Sequence, residues 1–204
     1  NKIIREQNIE IGKQYWKIKL IKLSDKKLAI FYEKNDAIMY DIYSYEKGKL
    51  IFINSKNLKE KAIEYKVCVI NEDEFTISFC YSGLLGFSSY LIFYDIRKGK
   101  KIKSFKCSNN VSSMGLVNRK YFIFFNNVRI KLVNLENYET LNEIHFVNLN
   151  ELDFILLDEN KFLLHGKDGA FQFLLDNGII DTKGENQKIK GKIKKYNKGR
   201  IKIV

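Results

Sequence analysis

The stretch WKIKLIKLSDKKLAIFYEKNDAIMYDIYSYEKGKLIFIN, residues 16–54, sets four apolar runs against three polar breaks. The runs are Trp16 to Leu23, Leu28 to Tyr32, Ala37 to Ile42 and Lys49 to Asn54, separated by SDKK, EKND and SYEKG. Short runs rich in aromatic and β-branched side chains, punctuated by Asp, Asn, Ser and Gly, read as β-strands joined by hairpins. Four of them in succession predict one four-stranded antiparallel unit. The second run, LAIFY, leaves no polar position to face water, which suits a strand covered on both sides.

The same grammar recurs downstream. A second unit runs Tyr65 to Ile70, turn NEDE, Phe75 to Tyr81, a longer Gly/Ser-containing loop SGLLGFSS, Tyr90 to Ile96, turn RKGK, and Lys101 to Phe105. A third comprises Ser113 to Val117, Tyr121 to Phe125, Val128 to Leu135 and Thr140 to Phe146, and a fourth comprises Leu152 to Leu157, Lys161 to His165, Ala170 to Leu175 and Ile179 to Thr182. The closing KIKGKIKKYNKGRIKIV supplies two more strands around the turn Asn197 to Gly199. Taken as third-strand ends, Asp41, Asp95, Asn134 and Asp176 lie 54, 39 and 42 residues apart, intervals that suit a four-stranded repeat. The longest accommodates the segment Lys56 to Glu64 and the SGLLGFSS loop. In NLKEKAIEYK a helical turn is the alternative to extended chain. No Gly/Ser/Pro-rich linker divides the sequence, so one structural region over 1–204 is expected.

A four-stranded sheet that is apolar on both faces cannot bury both alone; similar units stacked around an axis bury each against its neighbours. A two-sheet sandwich would show cleaner alternation than YFIFF or FILL. The expected class is therefore all-β, a β-propeller of four-stranded antiparallel blades at 15–55, 65–106, 112–147 and 151–183, with partial blades at 1–12 and 187–204. KFLLHGKDGAFQFLLD, residues 161–176, resembles the second-to-third strand stretch of a WD repeat, in which an Asp-Gly turn precedes a strand ending in Trp-Asp. KLAIFYEKNDAIMYDI, FTISFCYSGLLGFSSYLIFYDI and YFIFFNNVRIKLVNL occupy the same place, closing on Tyr40-Asp41, Tyr94-Asp95 and Val133-Asn134. The Gly-His dipeptide of well-formed WD repeats has no counterpart, and the single Trp, Trp16, stands in a first strand. Four full units with fragments at both ends suit either a small propeller or a portion of a seven- or eight-bladed one, and the second is the expectation. The resemblance implies a scaffold that binds other proteins.

Composition narrows the classes. The chain has 204 residues, 45% hydrophobic and 14% aromatic, enough for a sizeable core. Lys, Asn, Ile, Phe and Tyr are abundant and Pro is absent, a bias that AT-rich codons would produce and that discounts the net charge of +12. Cys68, Cys80 and Cys107 have neither C-x-x-C spacing nor a His cluster, so they read as reduced thiols in apolar runs and place the protein inside the cell, in the cytoplasm. No run of 18 apolar residues and no leader is present in the sequence as it stands, although a start at Asn1 suggests excision from a longer chain.

No motif for nucleophilic, metal-dependent or nucleotide chemistry occurs, so the expectation is a non-enzyme with no cofactor, no metal and no small-molecule substrate. His145 and His165, among Ile, Phe and Leu, read as packing residues; Glu72, Asp73 and Glu74 read as a solvated hairpin turn. Two surfaces remain as candidates. Leu84, Leu85 and Phe87 in SGLLGFSS read either as a loop folded back on its own blade or as an apolar knob for a protein partner. Lys192, Lys194, Lys195, Lys198 and Arg200, alternating with Ile, read first as solvated strand faces and alternatively as a site for an acidic membrane surface or nucleic acid.

Overall fold

The computed structural model describes residues 16–83, 86–107, 109–126, 129–145, 153–166, 169–176, 179–181, 193–195 and 201–203. They fall into two compact units, Asn1–Ser108 and Asn109–Val204. The first unit holds blade 1, β1 (Trp16–Ser24), β2 (Lys27–Lys34), β3 (Ala37–Glu46) and β4 (Lys49–Asn57), and blade 2, β5 (Glu64–Asn71), β6 (Glu74–Gly83), β7 (Gly86–Asp95) and β8 (Lys100–Cys107). The second holds blade 3, β9 (Ser113–Val117), β10 (Tyr121–Asn126), β11 (Arg129–Asn134) and β12 (Glu139–His145). It also holds blade 4, β13 (Asp153–Asp158), β14 (Lys161–Gly166), β15 (Gly169–Asp176) and β16 (Ile179–Asp181), and a hairpin of β17 (Ile193–Lys195) and β18 (Ile201–Ile203). Each blade is an antiparallel meander in which strands pair in chain order.

The second strand of every blade is buried on both faces. In β2, Ala29 and Phe31 point to one side and Ile30 and Tyr32 to the other, and all four are buried. Phe75, Ile77 and Phe79 alternate in β6 with buried Thr76, Ser78 and Cys80; Phe122 and Phe124 alternate in β10 with Ile123 and Phe125. The phase is the same in both units. Counted from the strand start, blade 1 gives its third and fifth residues, Ala29 and Phe31, to a core that takes the second and fourth residues of blade 2, Phe75 and Ile77. Blade 3 gives Ile123 and Phe125 to a core that takes Phe162 and Leu164 of blade 4. One side of a blade therefore meets the opposite side of the next, which is the directional stacking that radial blades require.

Aromatic rings carry the contact. Phe75 lies edge-on to Phe31 at 5.0 Å and to Tyr40 at 5.3 Å, and stacks on its cross-strand neighbour Tyr94 at 5.3 Å. Phe162 stacks on Phe173 at 5.2 Å in blade 4. Such pairs add about 0.5–1.5 kcal/mol beyond the burial of their area.

A polar device repeats in all four blades at the turn between first and second strands. The side chain of Ser24, Asn71, Asn118 or Asp158 accepts the N–H two residues on, from Lys26, Asp73, Lys120 or Asn160. The carbonyl of that same residue accepts an N–H from the end of the third strand or just beyond it, from Tyr45, Ile96, Leu135 or Leu175, at 2.7–2.9 Å. Short Ser, Asn and Asp side chains favour this local turn, and the backbone bond clips it to the next turn along the blade. The bond aligns Ser44 with Asp95 and Asn134, each paired with the first residue of its second strand. Asp41 is thus not the counterpart of Asp95: it lies mid-strand opposite Ile30, and Tyr43-Ser44 rather than Tyr40-Asp41 closes the blade. Leu174, opposite Lys161, replaces Asp176 in the same way.

Two local expectations change. SGLLGFSS is not a long loop: Ser and Gly continue the ladder, with Ser82 opposite Phe87 and Gly83 opposite Gly86. NLKEKAIEYK forms no helix over Leu58–Ile63, because Ile38 bonds its N–H to the Glu60 carbonyl and its carbonyl to the Leu58 N–H, extending the ladder of blade 1.

Close approach of first strands fixes one glycine. A Cβ on Gly115 in β9 would stand 2.6 Å from Phe154 Cε1 in β13. We expect Gly115→Ala to destabilise the fold by about 1–3 kcal/mol, as overpacking does. Urea denaturation measures it, and an unchanged midpoint would show that the two strands do not meet there.

Candidate interaction surface

The fourth strand of a blade is terminal in its sheet, and its pairing with the third strand is interrupted in the same place three times. Register shifts fall between Ile42 and Tyr43, Phe93 and Tyr94, and Leu132 and Val133, leaving Ile53, Ile102 and Leu141 as the extra residues. A bulge of this kind bends an outer strand and turns its extra side chain outward. All three are exposed, at 46%, 39% and 43%.

What precedes the bulge differs. At the two aligned positions β8 has Lys100 and Lys101, and β12 has Glu139 and Thr140, whereas β4 has Ile51 and Phe52, exposed at 47% and 55%. Tyr45, opposite Leu50, is also exposed. Ring contact with Tyr43 at 5.7 Å holds Phe52. Single exposed apolar residues are ordinary, but Ile51, Phe52 and Ile53 are exposed in succession on one strand, with Tyr45 exposed on the same face as Phe52, and clustered apolar exposure marks a contact surface.

Polar groups tie blades 1 and 2 together. The connector residue Glu60 accepts from Tyr81 Oη at 2.6 Å and from Lys101 Nζ, while its carbonyl holds Ile38. Tyr40 Oη donates to the Ile96 carbonyl at 2.7 Å. Tyr65 Oη donates to the Lys17 carbonyl, and Lys19 Nζ donates to the Tyr65 carbonyl at 2.7 Å with the ring centroid 5.0 Å away. Burial pushes the Tyr40, Tyr65 and Tyr94 hydroxyls well above the ordinary tyrosine value, and the nearby carboxylates of Asp95, Glu33 and Glu60 add to it. Cys68 is raised to about 11 by burial alone, and Cys80 and Cys107 are buried free thiols.

Of the residues singled out from the sequence, Leu84 and Leu85 lie outside the described residues. Phe87 stands in β7, its backbone opposite Ser82. Lys192, Lys198 and Arg200 also lie outside the described residues, while register sets Lys194 opposite Lys202 and Lys195 opposite Ile201. In the acidic turn Asp73 receives a forked pair of bonds from Arg97 at 2.7 and 2.8 Å, and Glu72 pairs with Lys27 at 3.5 Å. His145 and His165 are strand residues of β12 and β14. The β4 strip was missed because LIFI reads like any core strand. Aligning the four fourth-strand sequences would have flagged it, since KKIK and ETLN carry polar residues there.

Known structures share this architecture. The computationally designed Ika4 protein matches with a TM-score of 0.53 at 10% identity over 83% of this chain and 96% of its own. The Dos1 propeller matches with a TM-score of 0.55 at 14% identity over 77% of this chain. The fold is that of a β-propeller. This chain spans 44% of the Dos1 propeller chain. No family model matches the sequence, and no curated protein matches it.

The buried tyrosines predict alkaline lability. Unfolded tyrosines ionise around the ordinary value of 10.0, while Tyr40, Tyr65 and Tyr94 stay protonated in the fold. Their contribution is complete below that pH and is lost as pH rises above it. Tyrosinate absorbance should therefore appear in two steps, the second coinciding with loss of β-sheet circular dichroism. A single step around 10 with the sheet signal intact would contradict the burial.

Proposed function

We propose that the chain is a non-catalytic protein–protein interaction module, a scaffold of WD-repeat-like propeller type. The observation that carries this reading is the run of exposed apolar residues Ile51, Phe52 and Ile53 on the terminal strand of a blade, with exposed Tyr45 on the strand beside it, in a protein whose second-strand residues Phe31, Phe75, Phe122 and Phe162 are fully buried. Rigid sheets with apolar side chains displayed at their edges suit recognition of another protein, in which a few buried apolar anchors supply most of the affinity. The third-strand ends Asp95 and Asn134, each capping its following turn through the N–H of Lys98 or Glu136, support the WD-like part of the reading. The free thiols of Cys68, Cys80 and Cys107 suit a reducing, cytoplasmic setting.

Affinity capture with the full chain tests the reading. Replacing Ile51, Phe52 and Ile53 with Ser should remove the captured proteins while the chain stays folded, at a cost of about 0.5–1.5 kcal/mol for the lost Phe52–Tyr43 ring pair and little beyond it for the exposed parts of the three side chains. The parallel variant with Leu84, Leu85 and Phe87 changed to Ser shows whether that hairpin shares the contact. Capture of the same proteins by all three forms would contradict the proposal.

A further inference from the structure

We propose that the outer strand of blade 1 accepts an extended peptide segment of a partner protein, laid alongside Ile51–Ile53, apolar at its centre and carboxylate-bearing at its ends. The inference rests on the interaction-module reading and names its occupant.

Ile51 and Phe52 are consecutive in β4, so their side chains leave opposite faces of the sheet, and both are about half exposed. A helix or flat surface pressed on one face would reach only one of them. A strand lying in the plane of the blade, with side chains that themselves alternate, covers both. Among the described residues β4 is terminal in the order β1-β2-β3-β4, which makes its outer side the place for a fifth strand. The bulge at Ile53 ends the regular register, so matching is confined to a short run beside it.

Two of the other outer strands, β8 and β12, show what β4 lacks. β8 sets Lys100, Lys101 and Lys103 around its bulge, and β12 sets Glu139, Thr140 and Asn142. Charged and polar side chains at such places guard a sheet edge against pairing, and Ile51 and Phe52 do not.

Charge selects the ends of the occupant. Exposed Lys47 and Lys49 precede the apolar run, with one exposed carboxylate, Glu46, opposite Lys49, and Lys56 and exposed Lys59 follow it, so lysines outnumber carboxylates at the first end and stand alone in the chain at the second until Glu60. A second copy of this chain laid antiparallel on β4 would bring lysine-bearing ends together, on molecules that each carry +12. Like charges opposite one another oppose that pairing, whereas carboxylates flanking an apolar strand favour theirs.

Selection of a phage-displayed library of random short peptides on the immobilised full chain tests this. Enriched peptides should alternate apolar residues between Asp or Glu ends, and should bind the Phe52→Lys variant at least about tenfold more weakly, with backbone N-methylation at alternate core positions abolishing binding. Enrichment of helical or lysine-rich peptides, equal binding to Phe52→Lys, or no enrichment would overturn the proposal. So would a dimer in sedimentation that Phe52→Lys dissolves, since the occupant would then be a second copy. If affinity capture still depends on Ile51, Phe52 and Ile53 while no extended peptide is selected, the interaction reading stands and the strand occupant falls.

Discussion

Everything in this protein follows from second strands that have no wet face. Once Phe75 and Ile77 leave one side of β6 while Thr76 and Ser78 leave the other, all buried, a blade is a slab that must be covered twice. Burying a Phe side chain contributes about 1.5–3 kcal/mol, so a blade with one bare face forfeits several such terms, a large part of the stability of a domain. Within each unit the solution is directional, the odd side of one second strand against the even side of the next. Rings at that boundary interlock edge to face, which selects a register as well as a partner.

Polar groups are arranged so that this stacking is not opposed. The side chains of Ser24, Asn71, Asn118 and Asp158 satisfy turn N–H groups locally, and one backbone bond per blade fastens the first turn to the end of the third strand or just beyond it. Between blades 1 and 2, Tyr40 and Tyr65 bury their rings and still place each hydroxyl on a carbonyl. The outermost strands carry little of this burden. Their side chains are free to differ from blade to blade, and they do: basic on β8, polar on β12 and apolar on β4. Recognition can therefore be written on β4 without disturbing the core.

The blades themselves were legible because apolar runs and turn residues obey local chemistry. LAIFY and YFIFF announce strands covered on both sides, and the short breaks announce hairpins. Alignment between blades was less legible. Tyr40-Asp41 looks like the closing dipeptide of a WD repeat, but pairing of Ser44 with the first residue of β2 shows that blade 1 closes three residues later. Bulges at Ile53, Ile102 and Leu141 depend on inter-strand register, which a single strand does not encode. SGLLGFSS suggested a loop because Ser and Gly usually end strands, yet here cross-strand pairing carries them onward. For the candidate site the difficulty was contextual: LIFI is a core sequence by composition and a surface sequence by its place in the sheet.

A double-mutant cycle on Phe31→Leu and Phe75→Leu measures the boundary between neighbouring blades directly, because the two rings belong to different blades and meet at 5.0 Å. Face-to-face blade packing predicts a coupling of about 0.5–1.5 kcal/mol in unfolding free energy. Strictly additive effects of the two substitutions would mean that the rings do not touch, and the stacking of one blade on the next would be contradicted.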